Sequence, residues 1–305
     1  MSFKDEFMKL PPGAAREELV YQAAIKQGPP KNLVPVTVDG PGGTKITYKT
    51  MADYLIIDGI RVPMTPVTAQ RIANHFGMVL PTSKMSKQIY DAAKTKVRAA
   101  PLSGTGYTSP LTGKHYSAKD VVKNRISQSD AAVYYSSLTD QELSKHKNPG
   151  LIGGHGKEIT EPNKDASIQD VSFGGWQGSA GDPLQPYTYA HRGQAGAHTE
   201  YALNARFIDG EVIVTLPNGK KVTSTMEKLR ANPNLAGAIA DSIQIKQYGK
   251  DKKLAPNQQA PAPIAAIKQQ PNFTQPYTPQ KPQSGRLTLL QRIDSLLDQF
   301  GGKET

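Results

Sequence analysis

The change of composition at about Lys250 constrains this chain more than any other feature. Beyond it runs "APNQQAPAPIAAIKQQPNFTQPYTPQKPQSG", rich in proline and glutamine, with two spaced aromatics, Phe273 and Tyr277. Proline fixes φ and removes backbone donors, and so few large apolar side chains cannot offset the entropy of ordering. The stretch therefore predicts an extended tether and not a core. After it comes "RLTLLQRIDSLLDQFGG", where Leu287, Leu290, Ile293, Leu297 and Phe300 recur at intervals of three and four. That spacing predicts an amphipathic helix. On the end of a long tether, it reads as a helix that docks in a groove of another chain, with Phe273 and Tyr277 as further contacts. The alternative is that it docks back on its own core. The expected partition is an N-terminal helical arm over 1–33, an α+β core domain over 34–250, a linker over 251–285 and a docking helix over 286–305.

Of 305 residues, 37 % are hydrophobic, which is low for a chain that buries its whole length. One core of moderate size is expected. The 37 basic residues exceed the 26 acidic ones, for a net charge of +11. Such a balance favours anionic partners, including weak, sequence-blind contact with nucleic acid. There is no cysteine, so disulfides, thiol nucleophiles and thiolate metal sites are excluded. "MSFKDEFMKL" lacks an apolar h-region, so no signal peptide is expected, and no apolar run approaches the ~18 residues of a membrane span. Synthesis in a bacterial cytoplasm follows as the expectation.

Along the chain, "AAREELVYQAAIKQG" has helical spacing with Gly28 as its stop. Hairpins are expected at "DGPGG" (Asp39 to Gly43), at Asp58-Gly59, at Asp209-Gly210 and at Asn218-Gly219. "SAKDVVKNRI" and "LTDQELSKHK" read as short helices, and "STMEKLRANPNLAGAIADSI" as a helix, a break at Pro233 and a second helix. From Gly150 onward the glycine-rich sequence predicts loops around short strands.

In "VPMTPVTAQRIANHFGMVLPTSKMSKQIY" (Val62 to Tyr90), Thr65 is the expected N-cap and Pro66 the first-turn residue. Ala69, Ile72, Ala73 and Phe76 line one face, and Gly77 is the stop. A second helix starts near Thr82, with Met85, Ile89, Ala92, Ala93 and Val97 as its apolar stripe. A DNA-reading helix-turn-helix needs a shorter turn than "GMVLPTS". The pair is therefore expected to be packed helices.

The same stretch resembles the "MPLTPxTAQRIADxxGCxLPTxKM" segment of an uncharacterised family of secreted bacterial proteins. Later segments resemble that family too: "GGHGKEI" at Gly153 to Ile159, "GGWQGSAGDPLQP" at Gly174 to Pro186, and "YALNAR" at Tyr201 to Arg206. The likeness runs from about Val34 to about Leu229, and is tightest in the first segment. Where the family pattern has the histidines of "YGWH" and "YSHGxR", this chain has Gln177 and Leu203; His191 remains. The resemblance implies a histidine-based wall hydrolase in the relatives and a degenerate, phage-encoded form here, since leucine can neither ligate a metal nor carry a proton.

If the chain were an enzyme, His191, His155, Glu158 and Glu200 would be its catalytic set. His198 and Asp182 lie near them in sequence, without the spacing of a metal site. No metal and no cofactor are expected. Trp176, Tyr187 and Tyr189, with Tyr201, form either a sugar-stacking platform or a small β core. These readings together predict a non-enzymatic assembly protein of a large particle: a tail, baseplate, neck or capsid-associated component of a bacteriophage virion. Its partners would be other structural proteins in multiple copies, reached through its terminal arms. A virion-associated peptidoglycan hydrolase and a non-specific nucleic-acid-binding protein are the alternatives.

Overall fold

The computed structural model describes residues 2–97, 102–153, 155–161, 173–176 and 201–240. The amphipathic helix and the tether expected beyond Lys250 lie outside the described residues, as do Phe273, Tyr277, Leu287, Leu290, Ile293, Leu297 and Phe300.

The N-terminal segment expected as an arm is built into the core. Helix α1 (Phe3–Lys9) starts at a capping box between Ser2 and Asp5, and α2 (Ala14–Gln27) stops at Gly28, where φ is +85°. Phe7, Val20 and Ala24 are buried in one cluster with Ile60, Val62, Ile72 and Phe207. The buried Arg16 donates to Ser129 Oγ (3.1 Å) and Glu17 Oε1 (3.2 Å). Glu17 Oε2 in turn accepts from Thr65 N (2.8 Å) and Thr65 Oγ1 (3.0 Å). Apolar side chains of this size stabilise by roughly 1.5–3 kcal/mol each on burial. The helical periodicity was legible in the sequence; the surface it would cover was not.

Strands β1 (Leu33–Asp39) and β2 (Lys45–Met51) form the hairpin expected at Asp39 to Gly43, in register from Leu33 opposite Met51 to Asp39 opposite Lys45. The short β3 (Ile56–Ile57) and β4 (Ile60–Arg61) flank Asp58-Gly59, whose φ values of +49° and +74° suit a type I′ turn. Next come α3 (Pro66–His75), α4 (Ser83–Ala92) and β5 (Thr95–Lys96). Thr65 and Thr82 cap the two helices, accepting from Thr68 N and Met85 N.

These two helices are packed, but not as a pair. Ala69, Ile72 and Ala73 of α3 belong to the cluster under α2, whereas Met85 and Ile89 of α4 join a second cluster with Val36, Tyr48 and Val214. Ala92, expected in the stripe, is exposed at the helix end. Lys84 Nζ donates to the Gly237 carbonyl (2.6 Å) and Lys87 pairs with Asp91, so both cations are engaged within the fold.

A third cluster follows, around Leu102, Tyr107, Val121, Ala131 and Tyr135. It is built by α5 (Leu102–Thr105), the hairpin of β6 (Tyr107–Thr108) and β7 (His115–Tyr116), α6 (Ala118–Val122) and α7 (Gln128–Leu143). Helix α7 is far longer than the short helix expected near Leu138.

The remaining strands are β8 (Ile152–Gly153), β9 (His155–Ile159), β10 (Phe173–Trp176), β11 (Leu203–Asn204), β12 (Ile208–Thr215) and β13 (Lys221–Thr225), followed by α8 (Met226–Ala231). The main sheet is antiparallel in the order β1-β2-β12-β13, and β10-β9-β11 make a second sheet. The fold is α+β, as expected. The turn expected at Asp209-Gly210 is absent: both residues lie inside β12, where the pairing with β2 slips between Ile208 and Val212. The bulge sits against the α3–α4 connector, with Val79 and Ile208 exchanging both backbone hydrogen bonds at 2.9 Å. A Cβ on Gly210 would stand 2.3 Å from the Gly77 carbonyl oxygen, so this glycine serves close approach and not a hairpin. The Asn218-Gly219 turn is present between β12 and β13, with Gly219 at φ +84°.

Candidate functional site

The segments read together from the sequence are distant along the chain, yet they meet in one sheet. "GGHGKEI" supplies β9, "FGGW" supplies β10 and "YALNAR" supplies β11. Their register sets Trp176 opposite His155, Gly174 opposite Glu158, and Leu203 beside Lys157. Pro63, from the "VPMTP" stretch, bridges to Asn204. This sheet is the place to look for chemistry.

At its centre lies a buried ion pair. Glu158 is 3 % exposed and Arg206 is 1 % exposed. Glu158 Oε1 accepts from Arg206 Nε (2.8 Å), and Oε2 accepts from Ser86 Oγ on α4. Arg206 also donates to backbone: Nη1 to the Met51 and Ala52 carbonyls (2.9 and 3.2 Å) and Nη2 to the Ile152 carbonyl (2.8 Å). Its guanidinium lies 5.1 Å from the Tyr54 ring centroid, and the Tyr54 hydroxyl donates to the Gly156 carbonyl (3.0 Å). Burial, and then the Glu158 charge, push both the Tyr54 and Tyr48 phenols up, so they stay neutral donors. Tyr48 donates to Gln88 Oε1 (3.2 Å).

The ion pair thus ties together the end of β2, β8 and β9 through Arg206, and α4 through Glu158. A general base needs a free lone pair within reach of a substrate proton. Glu158 is buried, and each of its oxygens already accepts a hydrogen bond. Leu203 is fully buried in the apolar cluster with Ile57, Met64 and Phe207, and its carbonyl accepts from Met64 N (3.2 Å).

One further carboxyl lies at the end of the same strand. Glu161 accepts from Arg230 Nη1 (2.9 Å) on α8, while its Oε2 has no hydrogen-bond partner among the described residues. Burial pushes this carboxyl up to about 7 against the pull of Arg230.

Of the catalytic set read from sequence, Glu158 is placed in the buried clasp and His155 opens β9. His191 and Glu200 lie outside the described residues, as do His198, Asp182, Tyr187, Tyr189 and Gln177. Trp176 is located by its backbone at the end of β10. Tyr201 packs edge-on to Tyr135 at 5.4 Å, with its hydroxyl accepting from Leu102 N (3.0 Å). The partners that decide the role of Glu158 were missed in the sequence: Arg206, Ser86 and Tyr54. The one available signal was an arginine inside the apolar run "LNARFI". Among the described residues, no group of three or more His, Asp or Glu side chains could hold a metal ion, and no helix is long and apolar enough to cross a membrane.

No family model, no curated protein and no solved structure matches this chain.

Proposed function

We propose that the chain is a non-enzymatic structural component of a large particle, a bacteriophage virion, held there by its C-terminal amphipathic segment. The observation that carries this reading is the commitment of Glu158: both of its oxygens are occupied and its side chain is buried, in a sheet formed by the segments that resemble a histidine-bearing family. Leu203, in the place of one of those histidines, packs in the core. The tether and the stripe of Leu287, Leu290, Ile293, Leu297 and Phe300 supply the attachment, and other structural proteins in multiple copies are the partners. With α1 and α2 integrated into the core, attachment falls to the C-terminal segment alone. The full chain is expected to leave a suspension of bacterial cell walls turbid.

The convergence of the resembling segments favours a second reading, a wall hydrolase carried by the particle. Clearing of the walls by the wild type, lost on His191→Ala, would establish that reading and overturn the first.

A further inference from the structure

The third core cluster carries a ledge that its packing does not explain. Val122 is 70 % exposed and Leu111 is 43 % exposed, the only exposed large hydrophobic side chains among the described residues. Four cations lie in the same stretch, Lys114, Lys119, Lys123 and Arg125, all exposed. On α6, Lys119, Val122 and Lys123 fall at i, i+3 and i+4, while Val121 turns into the core.

The hairpin tip and the turn after α6 belong to one surface. Asp120 is held below the ordinary carboxyl range first by hydrogen bonds from Ser117, with the charges of Arg125 and Lys114 adding to the effect. Helix α6 packs against β7, and Arg125 N donates to the Asp120 carbonyl (2.8 Å), so the hairpin and the turn through Arg125 both adjoin α6. Asp120 accepts from Ser117 N (3.0 Å) and Ser117 Oγ (2.7 Å) as part of a capping box. The other nearby acid, Asp130, is buried and accepts from Leu111 N (3.2 Å). The tip is braced: Ser109 N donates to the Lys114 carbonyl (2.9 Å), Lys114 lies 4.8 Å over the Tyr116 ring, and Tyr116 stacks on the buried Tyr107 at 5.2 Å.

We propose that this ledge, the β6–β7 tip with the outer face of α6 and the turn through Arg125, binds the phosphate backbone of nucleic acid without reading its sequence. Four exposed cations on a braced platform suit regularly spaced phosphates. Helix α6 has only five residues, so nothing here enters a major groove. The ledge shares no residue with the Glu158 sheet and stands independently of the particle reading.

The test is fluorescence anisotropy of a labelled mixed-sequence duplex of about 30 bp with the full chain, in 50 and 200 mM NaCl. Each phosphate neutralised contributes a log–log salt slope of about −0.9, so four cations give about −3.6 and a loss on the order of 100-fold between the two salts. The variant K114A/K119A/K123A/R125A is expected to lose nearly all of that slope. K26A/K31A/K49A/K94A removes the same charge from exposed lysines elsewhere and is expected to bind almost as wild type. Should the first variant melt early, K119A/K123A is the substitute, with a slope reduced by about 1.8. Equal losses in the two fourfold variants, or no duplex binding by the wild type at 50 mM salt, would overturn the proposal. Binding of poly-glutamate in place of the duplex, abolished by the same substitutions, would also overturn it and assign the ledge to an acidic protein.

Discussion

Truncating Glu158 is expected to destabilise the fold far more than it alters any activity. In Glu158→Ala the buried Arg206 keeps its three backbone carbonyls but loses its counter-charge. Removing one partner of such a pair costs ~3–5 kcal/mol, because the other charge stays desolvated. Glu158→Gln also removes the counter-charge, but it keeps an acceptor for Arg206 Nε and gains a donor that Ser86 Oγ can accept, so it should cost less than Glu158→Ala by the ~1–2 kcal/mol of the retained hydrogen bonds. Arg206→Met is worse than either: it strands the carboxylate and leaves the Met51, Ala52 and Ile152 carbonyls short of a donor, adding ~1–3 kcal/mol for each that stays unsatisfied. The expected order of cost is Glu158→Gln, then Glu158→Ala, then Arg206→Met. Urea unfolding followed by circular dichroism measures it. With a slope of ~2–3 kcal/mol/M, Glu158→Ala should lower the midpoint by ~1–2 M. A midpoint within ~0.3 M of wild type for Glu158→Ala would refute the clasp and return Glu158 to the list of candidate catalytic groups.

Two other outcomes test separate parts of the fold. Glu161 has a folded pKa raised from 4.5 to about 7, so its contribution to stability is present below about 4.5 and is lost as pH rises through about 7. The stability of Glu161→Gln relative to wild type should therefore improve by roughly 2–3 kcal/mol between pH 5 and pH 8.5; parallel pH profiles for the two proteins would remove the buried-carboxyl account. Phe7→Ala should cost ~3–5 kcal/mol in urea unfolding, because the ring is wholly enclosed and lies 5.4 Å from the Arg16 guanidinium. A cost under ~1 kcal/mol would restore α1 to the status of a loose arm.

What the sequence disclosed followed local chemistry. Asp58-Gly59 and Asn218-Gly219 were legible as turns because a tight hairpin demands positive φ and few residue types supply it. Thr65, Pro66 and Thr82 were legible because capping is decided within four residues. Asp209-Gly210 misled for the complementary reason. A glycine is also needed wherever two backbones approach, and the approach of Gly77 was not visible locally. Only the C-terminal end of α7 was legible, because the helix buries Ser129, Asp130, Ser136 and Thr139 along with its alanines, which blurs the apolar period. The candidate site was legible as pieces and not as a place. Glu158 was found, but its meaning depends on Arg206 and Ser86, 48 and 72 residues away. Long-range pairing of this kind leaves no periodic trace.

The most direct test of the particle reading is the copy number of the chain in purified particles, measured by quantitative mass spectrometry against a known structural component. A structural role predicts a fixed ratio across independent preparations, and near-complete loss from particles of the Ile293→Asp variant, which places a charge at the centre of the Leu287 to Phe300 stripe. A ratio that varies between preparations and falls toward zero on further purification, with Ile293→Asp indistinguishable from wild type, would contradict it.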